Sequence, residues 1–400
     1  MHGTAPVSGA DLQRRPSLVT LVLIAAFGPL AMNLFVPSMP SIARDFGAPY
    51  AVVQLGLSGY LFLIAALQIV IGPLSDRYGR RPVVIGAFWI YLAGTAVSML
   101  APTVEIFLAG RFVQATAAAG IVLSRAIVRD CYPREKAASV IGYVVMGMSV
   151  APMIGPAIGG LIDESFGWRA SFGLLAATGL LTVLMVHVSL PETNLSASSN
   201  VLEQMRQYRS LLGRRDFWLF TAVAAATSSV FFALLGGGPA VAEKHFMLGP
   251  SAYGLYFAVT AAGYMSGNFL TGRYATRFGV NAMMIAGTLV TVLGGVMLVA
   301  LMVSGASHPA AFFGPTVLVG VGNGMTLPNA MAAAVSINPQ AAGAASGLLG
   351  AIQMGFGAAM SVIAAILVGV TGEPVPLAVF MLGLAVLGAM LAFPARVKGA

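Results

Sequence analysis

Arg111 and Gln114 are the residues whose types and spacing most clearly call for chemistry. Standing three apart, they share one face of a helix. The stretch around them, Val104–Leu123, is apolar apart from Glu105 near its start. Counted from Val104, Arg111 lies about 10 Å along such a helix at 1.5 Å per residue. A guanidinium at that depth in a bilayer costs about 2.5–3.5 kcal/mol on insertion scales, so it faces a protein interior or an aqueous cavity. Two roles are open. Arg111 either ties carbonyls and Gln114 together as a structural element or handles a proton or substrate in a cavity, and the second is the expectation.

Other chemistries lack their residues. His2, His187, His245 and His308 are scattered, and no His-Glu-x-x-His pattern places two imidazoles on one face, so no metal site is expected. Gly320-Val321-Gly322-Asn323-Gly324 has the glycine density of a phosphate loop but sits within an apolar run with no strand before it. Its glycines are expected to serve close packing or flexibility. Gly147-Met148-Ser149-Val150-Ala151 lacks the last glycine of a nucleophile elbow. There is no Walker loop. The expectation is no enzyme, no cofactor, and no transport driven directly by nucleotide.

The elements that must position Arg111 follow from composition. Of the 400 residues 58% are apolar and 8% charged, whereas soluble domains carry about a quarter charged residues. That excludes a soluble enzyme and a disordered chain, and Cys131 as the single cysteine excludes an internal disulfide. A membrane helix needs about 20 apolar residues. Six such stretches run from Ser17 to Leu190 and six more from Phe217 to Phe393. The fold class expected is an all-α membrane protein of twelve transmembrane helices in two pseudo-symmetric six-helix bundles. Its parts are a tail at 1–16, bundles at 17–190 and 217–393, a central loop at 191–216 and a tail at 394–400. Within the central loop, Val201, Leu202, Met205, Tyr208 and Leu212 alternate with arginines at the spacing of an interfacial amphipathic helix.

Charge sets the orientation. With the N-terminus placed in the cytoplasm, Arg44, Arg169 and Lys244 fall on the far side and Arg111 inside a helix. The other basic residues all fall on the near side, a strong positive-inside bias that puts both termini in the cytoplasm. The net charge of +8 is thus an orientation signal facing the lipid bilayer, not a nucleic-acid footprint. The Arg14-Arg15 pair precedes a run too long and without a cleavage site to be a removable export signal.

A shift of 200 residues aligns Gly72, Arg77, Tyr78 and Gly79 with Gly272, Arg277, Phe278 and Gly279. The same shift aligns Gly147, Ala151, Gly155 and Gly159 with Gly347, Ala351, Gly355 and Ala359. One offset equal to half the chain argues for duplication into two halves of like orientation. Gly147, Ala151, Gly155 and Gly159 recur every four positions and line one face of the fifth helix, and Pro152 and Pro156 free carbonyls within it. That face suits tight static packing or a rocking surface equally well.

At these residues the chain resembles the major facilitator superfamily, and more narrowly the bacterial Bcr/CflA group of drug:proton antiporters. Gly72-Pro73-Leu74-Ser75-Asp76-Arg77-Tyr78-Gly79-Arg80-Arg81-Pro82 is similar to the superfamily signature between helices 2 and 3. Arg111-Phe112-Val113-Gln114 resembles the helix 4 signature, and Gly147–Gly160 with Pro152, Gly155, Pro156 and Gly159 resembles the helix 5 antiporter signature. Narrower matches are Ser124–Asp130, Leu190–Thr193, Pro328-Asn329-Ala330 and Ala342–Gly347. The resemblance implies export of small lipophilic, antibiotic-like molecules from a bacterial inner membrane by alternating access, with protons as the coupling ion. It also implies a conformational latch built from Gly72, Asp76, Arg77, Gly79 and Arg80; Arg129 and Asp130 on the same face either join it or form a solvated loop pair. Only the first copy of this motif is a latch candidate, because Thr276 stands where Asp76 would repeat. A monomer is expected.

One residue departs from the family pattern. Bcr/CflA helix 1 carries an aspartate followed four and seven residues later by prolines; here Asn33 precedes Pro37 and Pro40. Asparagine does not titrate, and the thirteen acids all map to one or other face of the membrane, none to the hydrocarbon core. Glu105, Asp163 and His187 are the substitutes available. The alternative reading is a weakly coupled or uncoupled facilitator of neutral or anionic molecules, and a non-transporting membrane sensor ranks below it. Polar and adaptable residues expected to face a cavity are Gln54, Tyr60, Gln114, Met146, Phe231, Phe232, Tyr256, Tyr264, Asn268, Asn323, Asn329 and Gln353, with helix packing as their other use.

With Arg111 and no acid in the core, the field disfavours cations. Matched neutral, anionic and cationic substrates should therefore be transported with the cation slowest; faster movement of the cation would overturn this expectation.

Overall fold

The computed structural model describes residues 16–132, 134–194, 209–338, 341–369 and 372–395. Most of the amphipathic segment expected in the central loop, including Val201, Leu202, Met205, Arg206 and Tyr208, lies outside the described residues, as do the tails 1–15 and 396–400. Among the described residues twelve long helices follow in order. In the first half these are α1 Leu18–Asp45, α2 Tyr50–Tyr78, α3 Arg80–Met99, α4 Val104–Cys131, α5 Arg134–Phe166 and α6 Trp168–Ser189. In the second they are α7 Arg215–Lys244, α8 Pro250–Phe278, α9 Val280–Val303, α10 Pro309–Ser336, α11 Ala342–Val368 and α12 Pro374–Ala392. Short tighter turns interrupt α1 at Val36–Ser38 and α4 at Gln114–Ala117.

Among the described residues, eleven of these helices are long and apolar enough to cross a membrane. The exception, α8, has 29 residues, but glycine, tyrosine, serine, threonine and asparagine dilute its apolar content. Several helices outrun their apolar stretches: α4 continues from Leu123 to Cys131, and α2 from Gly72 to Tyr78. Backbone hydrogen bonding sustains a helix past the hydrocarbon, so polarity marks the membrane boundary and not the helix end.

Local signals set the breaks. Ser17 caps α1 by accepting from the Thr20 amide, and prolines open α8, α10 and α12, where their missing N–H costs nothing. Between α2 and α3, and again between α8 and α9, single glycines turn the chain: Gly79 has φ +96 and Gly279 φ +83. Residues with a Cβ rarely adopt such values, so the 200-residue repeat keeps glycine there for a backbone reason.

Helix contacts divide as the repeat predicts. In the first half α1 packs on α5 and α3 on α4 and α6; in the second α7 packs on α11 and α12, and α10 on α8 and α9. The halves meet along α2 with α11 and α5 with α8, and the repeat converts one of these pairs into the other. Small residues permit the tightest crossings. Gly263 and Gly267 of α8 face the Val317 and Val321 carbonyls of α10, while Gly320 and Gly324 of α10 face the α8 backbone around Thr260, Tyr264 and Gly267. Lipid gives helices no hydrophobic reason to associate, so close backbone approach supplies the packing. The glycines of 320–324 therefore serve packing.

The helices bring the connections to two ends. Arg80 joins Asp130 through its side chain and donates its backbone N–H to Glu192, which gathers the α2–α3, α4–α5 and α6–α7 connections at an arginine-rich end. Arg44 with Glu243, Glu164 with Ser251, and Asp45 with Arg169 gather the α1–α2, α5–α6 and α7–α8 connections at the opposite mouth.

A Cβ at Gly267 would meet the Val321 and Gly324 backbone, which cannot yield as a flexible side chain can. Gly267→Val should destabilise the protein by at least about 1–3 kcal/mol, the usual cost of overpacking. Gly272→Ala, with open space around it, should leave the thermal-unfolding midpoint in detergent unchanged.

Candidate functional site

Arg111 is fully buried within the first bundle. Its Nε donates to the Gly56 carbonyl of α2 at 3.3 Å, and Nη1 donates to the Ala31 carbonyl of α1 at 3.4 Å and to Gln114 Oε1 at 2.6 Å. Gln114 Nε2 passes the network to Thr95 Oγ1 of α3 at 2.8 Å, and Thr95 in turn donates to the Tyr91 carbonyl. The planar cation lies 4.4 Å from the Phe35 ring centre and 4.7 Å from that of Tyr60, and the Tyr60 hydroxyl donates to the Gly28 carbonyl at 3.0 Å. A guanidinium, flat and five times a donor, suits this combination of carbonyls and aromatic faces. One group thus ties α1, α2 and α4, and through Gln114 also α3. Nη2 has no hydrogen-bond partner among the described residues.

Asn33 is also fully buried. Its Nδ2 donates to the Pro29 carbonyl at 2.8 Å, a carbonyl whose partner one turn on would be Asn33 itself, and its Oδ1 has no partner among the described residues. The helix 5 motif packs on α1: Gly147 faces Val22, Gly155 faces Asn33 and Gly159 faces the Leu34 backbone. The stripe of small residues therefore lies inside the first bundle. The contact with the second bundle uses neighbouring positions, where Gly254 of α8 sits on Pro156 and Ala157, and Gly160 sits on Pro250 and Ser251.

At the arginine-rich end, Arg80 pairs with Asp76 one turn before it and, at 3.0 Å, with Asp130 of α4. Arg77 lies over the ring of neighbouring Tyr78, and Gly72 has open space about it. Arg129 lies against Gly343 at the start of α11, so of these residues it is the one seen to touch the second bundle. Glu192, overlooked as a site residue in the sequence, accepts from the Arg80 and Arg81 amides at 2.9 and 3.1 Å. A carboxylate there caps the first turn of α3 and offsets its dipole. Its signal was the Leu190–Thr193 match, whose acid falls on the same membrane side as Gly79.

The cavity candidates separate. Tyr60, Gln54, Asn323 and Asn329 are buried in helix packing, where Asn329 donates to the Met325 carbonyl at 2.7 Å and Asn323 to the Val319 carbonyl at 3.0 Å. Phe232 is buried under Gly357, and Phe231 is half-buried against Phe257. Tyr256, stacked on Phe313, keeps partial exposure, as do Tyr264, Asn268 and Gln353, while Met146 is 62% exposed. Cross-bundle polar contacts were not legible as pairs. Tyr50 donates to the Gly236 carbonyl at 2.8 Å and Gln54 to Ser361 at 3.0 Å. Each partner sits in the other half of the chain, and spacing carries no signal over that distance. Of the expected substitute acids, Asp163 is 8% exposed and accepts from Ser41 at 2.7 Å, and Glu105 is exposed in the first turn of α4. No group of His, Cys, Asp and Glu able to hold a metal occurs among the described residues.

The sequence profile described as Major Facilitator Superfamily matches residues 21–246 and 238–400. A chloramphenicol resistance protein of Pseudomonas aeruginosa is 29% identical over 84% of this chain and 79% of its own. A bicyclomycin resistance protein homolog of Haemophilus influenzae is 27% identical over 94% of both. The crystal structure of a bacterial homolog to the human lysosomal transporter Spinster, inward-facing and unoccupied, superposes over 100% of both chains with a TM-score of 0.72 at 18% identity, a likeness of fold.

Arg111→Ala would remove three buried hydrogen bonds and leave the Gln114 amide oxygen without its donor, at about 1–3 kcal/mol for the unsatisfied group and up to about 3 kcal/mol for each charged bond lost. It should lower the thermal midpoint markedly, and Arg111→Lys, which keeps the charge but not the fork, should restore only part of it. An unchanged midpoint in Arg111→Ala would show that the tie is not structural.

Proposed function

The chain belongs to the major facilitator superfamily, a family of membrane transporters and not of enzymes, and on that footing we propose that it exports small lipophilic, antibiotic-like molecules by alternating access in exchange for protons. The observation that carries this reading is that two six-helix bundles meet along two helix pairs that the repeat interconverts. Inside each bundle, buried networks and backbone-to-backbone glycine contacts hold the helices. Between the bundles, the two helix pairs form a surface on which two rigid bodies can rock. The resemblance to Bcr/CflA antiporters and the relatives named for chloramphenicol and bicyclomycin resistance support drugs as the substrate class.

The same reading assigns the arginine-rich end and both termini to the cytoplasm of a bacterial inner membrane, following the positive-inside bias. Arg80, Asp76, Asp130 and Glu192 brace the connections of the first bundle, and Arg129 against Gly343 supplies the link through which such a brace latches α11. Arg111 acts through its field and by fixing α1 against α2 and α4. Asn33 supports the second reading, an uncoupled carrier of neutral or anionic molecules, because an amide neither gains nor loses a proton at ordinary pH.

Substrate efflux from reconstituted vesicles, with and without an imposed pH gradient, separates the two. A one-unit gradient supports up to about a tenfold substrate gradient per proton exchanged. Wild type should respond, and Asn33→Asp should respond more strongly. Equal efflux with and without the gradient in wild type would establish the uncoupled carrier.

A further inference from the structure

Coupling to protons needs a carboxylate whose protonation differs between two conformations, and the core offers none. The mouth opposite the arginine loops does. There α1 of the first bundle reaches α7 of the second through the Arg44–Glu243 ion pair, and α5 of the first reaches α8 of the second through Glu164, which accepts from Ser251. Between them lies a cavity of about 220 Å³, lined from the first bundle by Pro40, Ser41 and Arg44 and from the second by Glu243, Pro250 and Tyr253.

Arg44 is aimed by its own bundle. Its Nη2 donates to Ser41 Oγ at 3.4 Å, and Ser41 donates to Asp163 Oδ2 at 2.7 Å. Asp163 belongs to α5, packed on α1 within the same bundle, so parting the bundles leaves Asp163 and Ser41 together. It parts Arg44 from Glu243 and Ser251 from Glu164. Asp163 is accordingly a positioning residue, and the two glutamates are the groups whose surroundings change.

We propose that this mouth is a proton-released lock: Glu243, when ionised, holds the bundles together through Arg44, and protonation from the outer medium frees it. The direction follows from linkage. Closed, Glu243 faces a guanidinium of the other bundle that favours its charged form; open, it has lost that partner. The open state therefore binds protons more tightly, and acid on this side favours opening. Each proton taken up only by the open state shifts the open-to-closed ratio by up to about tenfold per pH unit.

The neighbouring charges do not reverse this sign. Asp45 pairs with Arg169 at 2.6 Å inside the first bundle and takes the Trp168 indole N–H at 3.0 Å. Lys244 and His245 follow Glu243 on the same bundle, Lys244 beside Gly372 and His245 against the Phe246 ring. Asp163 adjoins Glu164 in both states. The remaining cross-bundle bonds at this end, Tyr50 to Gly236 and Gln54 to Ser361, involve no carboxylate. They resist opening at every pH without making it depend on pH.

The lock rests on the alternating-access reading but is tested without substrate. Spin labels at Phe166→Cys and Met247→Cys, exposed positions on either side of the mouth (78% and 83%), are placed in the full chain carrying Cys131→Ser and reconstituted in nanodiscs. Double electron–electron resonance at pH 7.5 and 5.5, about physiological and acid outer values, reads the distance between the bundles. Acid should move the population toward the longer distance in the otherwise wild-type protein. Glu243→Gln should show the longer distance at both pH values, and Asp45→Asn should retain the response. An identical distribution at both pH values in the wild-type background would overturn the lock, and so would a full response in Glu243→Gln. Vesicle efflux read in parallel separates the two ideas. A pH-driven opening without drug efflux removes the substrate reading and leaves the lock, whereas drug efflux without pH-driven opening removes the lock alone.

Discussion

A polar group in hydrocarbon must find its partner within the protein, because no water is there to supply one. Arg111 shows what that demand imposes. Its guanidinium cannot be neutralised at any ordinary pH and no acid lies within the membrane stretch. The bundle answers with carbonyls of two helices, the Gln114 amide and the faces of Phe35 and Tyr60. To supply these groups α1, α2 and α4 must stand in fixed register, and Gln114 extends the requirement to α3 through Thr95. In the first bundle one cation and its amide partner tie four helices together.

The second bundle reaches rigidity by other means. Ala311 stands where the repeat would place a second arginine, and α8 and α10 are joined through glycines that bring backbone against backbone. Asn329, Thr271 and the Thr260–Thr316 pair satisfy themselves locally along the same crossing. Duplication preserved the helix arrangement while the two halves solved the problem of polar satisfaction separately. An asymmetric pair of rigid bodies suits a carrier in which one half holds the charged machinery and the other moves against it.

Between the bundles the rule changes. Contacts there combine small residues, two buried hydrogen bonds and an exposed ion pair, a kind worth little more than about 1 kcal/mol. Gly254 on Pro156 and Gly160 on Pro250 let α5 and α8 approach closely without interlocking side chains. The small-residue stripe of helix 5 is turned instead toward α1. Periodicity identified that stripe correctly as a packing face, but a helix has several faces and the sequence does not say which neighbour each one meets.

The sequence by itself located the twelve apolar stretches, the 200-residue repeat, the turn glycines at 79 and 279 and the depth of Arg111 along its helix. Each is a local property, set by apolar length, by backbone conformation or by the cost of charge in lipid. It also exposed the absence of a core carboxylate, since placing acids needs only their position along a span. The tertiary structure alone decided the partners. Arg111 could be read as lining a cavity or as tying helices; its complete burial among carbonyls, with Gln54, Tyr60, Asn323 and Asn329 likewise enclosed, follows from helix rotation about the bundle axis. Glu192 found the amides of Arg80 and Arg81, and Arg44 found Glu243, across about 110 and 200 residues of chain. Hydropathy fixes how deep a residue lies, but only packing fixes the direction it faces and therefore what it touches.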